Sequence, residues 1–517
     1  MPVRSPVAVV SLALLASVLL GLTPDRAAAA TTCAAGPDDA TTASNQDVDH
    51  DLSRYPDHVI GIPREVSKAG VIELRSTTGL IQRLTESSFT GGPARVAGDG
   101  FGTSVAFVDA NADRCADVAV GAPGASAGRG AVVVALGSTT GILGTGSVRL
   151  TGRTPGEHFG AVVVAVGQDL FVAAPDRTVS GRARAGAVDH YRVGTGGAPT
   201  LLETLTEDTP GVPGVSEADD RFGSVLTGAT QASGAPQANG SWLVVGEPSE
   251  DNGTRRDAGS VTVLSFNDTT HRLSLGRVVA QGVAGTPGVS ETGDTFGAAV
   301  AFWGDPAESY LAIGTPGEDV GSHRDGGQVQ TFTGMLGTAP LRPSASFTQD
   351  SPEVPGAVEA GDQFGASLQA GWFAVAQGGC SGHNAIDLAV GAPGEDLGSR
   401  RDAGTVTFVP LGPTRPSEAW CRHAWYQGGP GGISATAEAG DRFGAVLGLG
   451  AGGYLPAQPY PQGQPPTELL ISVPGEDVGS KVDAGVFHTL IVDLVTGIDF
   501  GGAAGTAFGS VFAGSAS

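Results

Sequence analysis

From about residue 59 onward, short apolar runs alternate with turns rich in glycine, proline and aspartate. Residues 99–136 show the pattern most clearly, with Val105 and Phe107 followed by apolar runs at 118–120 and 132–134. Runs this short, rich in β-branched residues and bounded by glycine and proline, predict strands. No part of the segment has a helical period of adequate length. We therefore expect residues 99–136 to form a β-meander.

The same pattern recurs along the chain, and each copy opens with a Phe-Gly pair. The pairs begin at Phe101, Phe159, Phe222, Phe296, Phe364, Phe443 and Phe508. A strand ending near proline follows every pair but the last, at Pro123, Pro175, Pro248, Pro316, Pro393 and Pro474. A fixed unit that repeats in this way indicates a repeat architecture, in which each copy is one supersecondary unit.

The two ends of the chain hold complementary parts of one repeat. Residues 59–63 and 69–74 provide later strands with no Phe-Gly strand before them, whereas residues 507–512 provide a Phe-Gly strand and then stop. A propeller removes exposed sheet edges by closing on itself. We predict an all-β fold: a seven-bladed β-propeller of four-stranded antiparallel blades, closed by pairing of the N- and C-terminal segments. The alternative is a decayed eighth repeat at the C-terminus.

An acidic loop, residues 109–117, separates the first two strands of the meander. Oxygen-bearing side chains occupy its first, third, fifth and ninth positions, and a backbone carbonyl can serve at the seventh. Calcium binds six to eight such oxygens. An EF-hand is excluded, because the twelfth position is Val120 and a strand follows. The alternative is a polar hairpin whose Asp and Asn side chains only make Asx turns.

Together, Phe101-Gly102, the loop 109–117 and the Val-Gly-Ala-Pro string at 120–123 resemble the FG-GAP repeat of integrin α-subunit propellers. The later copies resemble those of secreted bacterial FG-GAP proteins, and the resemblance covers nearly the whole mature chain. It implies a bound Ca²⁺ ion. The ligands that it implies are the side chains of Asp109, Asn111, Asp113 and Asp117 and the backbone carbonyl of Cys115.

Two departures bear on this calcium prediction. The sixth loop position, usually glycine in the family, is Arg114, which predicts a less relaxed turn and weaker binding. The corresponding loops of later repeats decay. The third blade has only Gln168-Asp169, and the fifth has residues 304–309 with Asp305 and Glu308. The sixth keeps Asp387 at the ninth position but has no carboxylate at 379–385. We therefore expect one calcium ion of this type.

The N-terminus carries the features of a secretory signal. Arg4 precedes an apolar run at 7–22, and small residues fill 27–30. The run is short for a membrane anchor, which is the alternative. We predict a signal peptide at 1–30, an N-terminal segment at 31–52 and the propeller at 53–517. The mature protein is expected to be secreted, without a membrane span, and monomeric.

The four cysteines fit an oxidising compartment. Of the three possible pairings, we favour Cys380–Cys421 together with Cys33–Cys115, although some of the four could stay reduced. The chain has 29 basic and 53 acidic residues and a net charge of −24. Such a chain repels phosphate backbones, so we expect no nucleic-acid partner.

Blade geometry places two further sets of acidic loops on the face opposite the predicted calcium. The loops between strands two and three are 250–257, 317–325, 394–402 and 475–483, and those between blades are 217–220, 291–294, 359–362 and 438–441. One interpretation is that they join neighbouring blades; the other is that they form an adhesive or cation-assisted binding face. The aromatic residues most suited to contact a ligand are Trp420, Trp425 and Tyr426.

The sequence contains little that indicates catalysis. The G-x-S-x-G string at 124–128 lies between two predicted strands, whereas a nucleophile elbow needs a strand followed by a helix. The nine histidines show no zinc-like spacing. We therefore favour non-catalytic binding or adhesion to an extracellular protein or glycan. The alternative is a secreted polysaccharide hydrolase or lyase with its site on the propeller face.

Overall fold

The computed structural model describes most of the chain from residue 58 onward. The described residues are 58–75, 81–113, 115–138, 140–194, 198–229, 242–267, 269–283, 285–304, 309–334, 341–352, 354–371, 373, 387–410, 424–429, 433, 435–450, 468–478, 480, 485–491, 494–498 and 511–512. The predicted signal peptide and the N-terminal segment lie outside these residues. So do Cys33, Cys380 and Cys421, and the disulfide pairings stay predictions.

The described residues form seven four-stranded antiparallel sheets, each a blade. Blade 1 contains β1 (His58–Ile62), β2 (Val71–Arg75), β3 (Ile81–Leu84) and the last strand, β28 (Val511–Phe512). Blade 2 contains β4 (Ser104–Val108), β5 (Asp117–Ala122), β6 (Ala131–Ala135) and β7 (Val148–Thr151). Blade 3 contains β8 (Val163–Val166), β9 (Asp169–Ala174), β10 (Ala187–Arg192) and β11 (Thr200–Leu205).

The remaining four blades follow in the same order. Blade 4 contains β12 (Val225–Ala229), β13 (Trp242–Glu247), β14 (Ser260–Phe266) and β15 (Leu273–Val279). Blade 5 contains β16 (Ala299–Gly304), β17 (Ser309–Thr315), β18 (Gln328–Thr333) and β19 (Arg342–Phe347). Blade 6 contains β20 (Ser367–Gly371), β21 (Asp387–Ala392), β22 (Thr405–Pro410) and β23 (Ala424–Trp425). Blade 7 contains β24 (Leu447–Gly450), β25 (Glu468–Val473), β26 (Val486–Ile491) and β27 (Leu494–Ile498).

The ends of the chain meet in blade 1. The C-terminal strand β28 pairs antiparallel with β1, with Phe512 opposite Ile60 and Val511 opposite Gly61. The predicted closure of the ring is therefore confirmed, and the last Phe-Gly segment does not begin an eighth blade. Without β28, the hydrogen-bonding groups along one side of β1 would form an exposed sheet edge.

The Phe-Gly pairs mark where neighbouring blades come closest. Their phenylalanines are fully buried at Phe101, Phe159, Phe222, Phe296, Phe364 and Phe443. The glycine that follows adopts a left-handed φ, 89° at Gly102, and its carbonyl meets a strand of the preceding blade. A Cβ on Gly61 would lie 1.9 Å from the Gly102 carbonyl oxygen, and one on Gly314 would lie 2.0 Å from that of Gly365. Only glycine on both sides permits this approach of two backbones.

The apolar core is shared between successive blades. Leu74 of blade 1 packs in one cluster with Phe101 and Val120 of blade 2, and Val390 of blade 6 packs in one cluster with Phe364 and with Ala312 of blade 5. Phe101 and Phe364 thus fill the space between two sheets. Because burial of apolar area is the main stabilising term, blades are stabilised by their neighbours rather than individually.

Three single-turn segments interrupt the all-β pattern and were not predicted. They are α1 (Glu65–Lys68), α2 (Ala125–Gly128) and a 3₁₀ turn at Glu86–Ser88. In α2, Ser126 and Ala127 have φ of 55° and 60°, so it is a tight turn between β5 and β6. Within the described ranges, no helix has the length and apolar character needed to traverse a bilayer.

Ring closure predicts that a chain ending at residue 510 is less stable than one ending at residue 512. The shorter chain lacks β28 and exposes the edge of β1, so its melting temperature should fall by about 2 °C or more and it should self-associate. Differential scanning fluorimetry and size-exclusion chromatography check this. Identical melting curves and elution volumes for the two chains would contradict the closure.

Candidate functional site

The acidic loop lies between β4 and β5, where the sequence placed it. Asp117 begins β5 and is fully buried, and Asp113 and Cys115 are also buried. Asp109 and Asn111 are half-buried, and Ala112, with φ of 57°, reverses the chain between them and Asp113. The residues predicted as ligands therefore belong to one compact turn.

Backbone amides hold the carboxylates of this loop in place. Asp117 Oδ2 accepts the N–H of Ala110 at 2.7 Å, and its Oδ1 accepts the N–H of Gly137, after β6, at 2.7 Å. Asn111 Oδ1 accepts the Asp113 N–H at 3.0 Å, and Asp113 Oδ1 accepts the Cys115 N–H at 2.8 Å. The last two are the Asx turns of the alternative interpretation, and they also fix the carboxylates close to one another.

The electrostatics of the loop show that its carboxylates converge. Burial raises the pKa of Asp117 to about 7; the two amide hydrogen bonds oppose this rise, and the charges of Asp113 and Asp109 add to it. Three carboxylates in mutual repulsion around a buried position are an arrangement that a cation would relieve. The loop therefore has the donor set and the charge that a hard divalent cation prefers.

On the opposite face, the loops between strands two and three contact the loops between blades. The Gly361 N–H donates to the Arg324 carbonyl at 2.9 Å, and the Gln363 N–H to the Asp325 carbonyl at 3.0 Å. The same pair of bonds links Gly293 and Thr295 to residues 256–257, and Gly440 and Arg442 to residues 401–402. Backbone groups thus connect successive blades at this face.

The acidic side chains of these loops mostly act within their own loop. Asp362 is buried and accepts the Glu359 N–H at 2.5 Å; Asp319 accepts the Asp325 N–H at 3.0 Å. An ion pair between loops of successive blades does occur between Arg184 and Asp219. The structure therefore supports the interpretation that the loops join blades, chiefly through their backbones.

Comparison with known proteins agrees with this geometry. Residues 101–134 match the family model of the FG-GAP repeat. The chain carries an FG-GAP repeat. The match spans the Phe-Gly pair, the acidic loop and strands β4 to β6.

Beyond this repeat, the similarities of the FG-GAP propeller to known proteins are distant. No curated protein matches the chain. Among solved structures, it is similar to a proposed 6-phosphogluconolactonase from Bacteroides fragilis NCTC 9343, with 12% identity and a TM-score of 0.45 over 88% of this chain and 96% of that one.

Outside the FG-GAP repeat, the aspartate that begins strand two has different hydrogen-bond partners from those of Asp117 in blade 2. In blade 3 it is Asp169, which contacts His190 Nε2 at 3.2 Å, His271 Nδ1 at 3.2 Å and Arg192 at 3.5 Å. Burial lowers the pKa of His190, but hydrogen bonds to Asp169 and Glu203 raise it above its ordinary value overall. Histidine and arginine side chains thus contact Asp169 in blade 3, whereas backbone amides contact Asp117 in blade 2.

The residues considered for catalysis do not assemble a reactive centre among the described positions. Ser126 of the G-x-S-x-G string lies in the turn between β5 and β6, as predicted, rather than before a helix. His158 pairs with Asp176 at 2.6 Å, and His190 is fully buried against the rings of Phe171 in blade 3 and Phe266 in blade 4. Burial lowers the pKa of His488, in β26, to about 4.

The aromatic residues proposed as ligand contacts are not exposed as a group. Trp425 is buried in β23 and meets the Phe408 ring edge-on, with centroids 6.5 Å apart. Tyr426 is half-buried, and Trp420 lies outside the described residues. Trp425 is thus a packing residue of blade 6.

Three blade junctions of the FG-GAP propeller repeat one polar pair, of a buried glutamine with a half-buried glutamate. A glutamine after the last strand of one blade donates its Nε2 hydrogen to a glutamate in the next blade: Gln281 to Glu318 at 2.7 Å, Gln427 to Glu476 at 2.5 Å, and Gln349 to Glu395. Burial raises the pKa of each of these glutamates to about 7. Sequence analysis missed these pairs, because the partners lie far apart in the chain.

One junction has a carboxylate where the three later junctions have glutamine. Between blades 3 and 4, Glu207, Asp220 and Glu250 place ligand atoms within 4.8 Å of one another, so this group could hold a metal ion. The sequence signal was available: Glu207 occupies the place of Gln281, Gln349 and Gln427.

Because the glutamates of the Gln–Glu pairs have raised pKa values, we expect acidification to stabilise the protein. Their pKa values of about 7 in the fold exceed the ordinary value of 4.5, so their contribution is fully present below pH 4.5 and is lost as the pH rises through 7. In metal-free buffer, the urea midpoint should be higher at pH 5.5 than at pH 8. Glu318→Gln should reduce the difference in the free energy of unfolding between pH 5.5 and pH 8 by on the order of 1 kcal/mol.

The matched control for this comparison is Asp325→Asn, at an exposed position of the same loop. It should leave the difference between the two pH values close to that of the unaltered chain. A higher urea midpoint at pH 8 than at pH 5.5, or equal effects of the two substitutions, would contradict the role of Glu318.

Proposed function

We propose that this chain is a secreted, calcium-binding FG-GAP propeller that binds an extracellular protein or glycan without catalysing a reaction. The observation that carries the proposal is the repetition of exposed charged loops on one face. Exposed arginines at Arg256, Arg324 and Arg401 alternate around the ring with exposed glutamates at Glu291, Glu359 and Glu438. A broad surface that repeats from blade to blade suits binding of an extended partner.

The alternative of a polysaccharide hydrolase or lyase finds less support. A glycosidase needs one asymmetric pair of carboxylates in a cleft that substrate can enter. Among the described residues, the carboxylate group that does not repeat from blade to blade is that of Glu207, Asp220 and Glu250. Glu207 is 4% exposed and Asp220 is 2% exposed. Burial of this degree excludes a sugar chain from those carboxylates.

Calcium would act structurally in this proposal. Asp109, Asn111, Asp113 and Asp117 would provide side-chain oxygens, and Cys115 its carbonyl, as the resemblance to integrin propellers implies. Asp117 already links the loop to the turn after β6 through Gly137, so an ion there would stabilise three strands of blade 2. FG-GAP repeats are typical of extracellular proteins, which agrees with the predicted signal peptide.

Calcium removal should lower the melting temperature, because an ion that binds only the folded state stabilises it by mass action. Asp113→Ala should abolish binding at this loop in isothermal titration and remove its share of the calcium-dependent rise in melting temperature. The control is Asp387→Asn, at the matching strand start in blade 6. Unchanged calcium titration after Asp113→Ala would remove this site from the proposal.

The binding face can be tested by charge reversal on glycan and extracellular-matrix protein arrays. Arg324→Glu with Arg401→Glu should reduce binding at least tenfold, since both side chains are exposed on the proposed face. Arg342→Glu, exposed at the start of β19 on the other face, is the control. Turnover of an array polysaccharide, or equal binding by all variants, would contradict the proposal.

A further inference from the structure

Glu207, Asp220, Glu247 and Glu250, here called the junction cluster, bring four carboxylates together between blades 3 and 4. Glu207 follows β11, Asp220 precedes the Phe-Gly pair of blade 4, Glu247 ends β13 and Glu250 lies in the loop after it. Glu207, Asp220 and Glu247 are 4%, 2% and 0% exposed, and Glu250 is half-buried.

The other junctions of the same chain show what the junction cluster replaces. Where it has Glu207, the three later junctions have Gln281, Gln349 and Gln427. Where it has Glu247, the last residue of strand two, they have Thr315, Ala392 and Val473 at the same register against strand three. The aspartate and the loop glutamate are common to all four junctions. The junction cluster therefore carries two additional carboxylates.

The additional carboxylates remove a hydrogen-bond donor as well as adding charge. At the later junctions the glutamine N–H satisfies the loop glutamate, as in Gln281 to Glu318 at 2.7 Å. Glu207 occupies an equivalent place, because a Cβ on Gly214 would touch its Oε1, just as one on Gly288 would touch Nε2 of Gln281. An ionised carboxylate there has no hydrogen to give to Glu250.

Glu247 is the independent indication of a missing ligand. It is fully buried, and neither carboxylate oxygen has a hydrogen-bond partner, although the Thr262 hydroxyl lies near enough to lower its pKa. Burial and the charges of Glu250 and Asp220 raise that pKa, and the charge of Glu247 acts in turn on Glu207. The unpartnered carboxylate thus lies within electrostatic range of the other three. A buried charge without a partner is among the costliest features of a fold.

No cationic side chain of the described residues compensates this charge. Three arginines of the neighbouring loops are engaged elsewhere: Arg182 with Asp208, Arg184 with Asp219 and Arg221 with Asp176. The charges that act on Glu207 and Glu250 come from other carboxylates, and Glu207 also shares a hydrogen bond with Asp220. Four carboxylates therefore share one buried volume with no positive group.

We propose that the junction cluster binds a hard divalent cation, calcium, through Glu207, Asp220 and Glu250, with Glu247 as a fourth acidic ligand or as a charge facing the ion. Ligand atoms within 4.8 Å of one another match the span across a calcium ion bound by oxygens at about 2.4 Å. The ion takes the place of the glutamine N–H of the other junctions and joins blade 3 to blade 4. The site lies on the face opposite the acidic loop of blade 2, and it does not depend on the proposed function.

The test is calcium titration of the full mature chain after chelation, by isothermal calorimetry and by equilibrium dialysis. The unaltered chain should bind one more calcium equivalent than the double variant Glu207→Gln with Glu247→Thr. That variant restores the residues of the junction between blades 4 and 5, so it should fold, as circular dichroism can check. It should also melt at a higher temperature than the unaltered chain in chelator, and show a smaller rise on adding calcium.

Two further variants make the outcome specific. Glu318→Gln removes a comparable glutamate from the next junction and should leave the calcium stoichiometry unchanged. Asp113→Ala should remove a different equivalent, so failure of the blade 2 site and failure of the junction site are separately visible. The proposal is overturned if the folded double variant binds as many calcium equivalents as the unaltered chain, or if Mg²⁺ alone at equal concentration binds the junction cluster more tightly than Ca²⁺.

Discussion

The close approach of backbones between successive blades is the constraint on which the rest of this structure depends. Gly61 meets the Gly102 carbonyl, and Gly314 meets that of Gly365, at distances that leave no room for a side chain. These contacts accompany a fully buried phenylalanine at each of the six junctions whose Phe-Gly pair the structure describes. Because each blade is stabilised by its neighbours, the ring must also close, and the pairing of β28 with β1 closes it.

With the blades held this close, polar side chains at the junctions become buried, and each junction must balance its own charge. Three junctions do so with a Gln–Glu hydrogen bond. The junction between blades 2 and 3 does so with Arg177, which contacts Glu157 at 3.0 Å and Asp189 at 2.8 Å. The junction cluster has neither device. The aspartates that begin strand two also differ in their partners. Asp169 has histidine and arginine partners, whereas Asp117 has backbone amides.

Much of the fold was predictable, because strands and turns are written in local patterns. Phe-Gly pairs, proline-ended strands and the complementary ends were sufficient to predict seven blades and closure, and the acidic loop lies where the pattern placed it. The side-chain partners could not be predicted in the same way. Gln281 and Glu318 are brought together by packing of two blades, and no local period joins them. The sequence shows Glu207 where later repeats have glutamine. The consequence of that difference depends on the packing that brings Glu250 and Glu247 near Glu207.

The most direct test of this account is hydrogen exchange of the β1 amides, followed by mass spectrometry of peptides covering residues 58–62. If β28 closes the ring, β1 has partners on both sides at Ile60 and Gly61, and the amides there should exchange as slowly as those of β17, an inner strand of blade 5. Fast exchange of alternate β1 amides, at the rate of an outer strand such as β19, would show an open edge and contradict the closed ring.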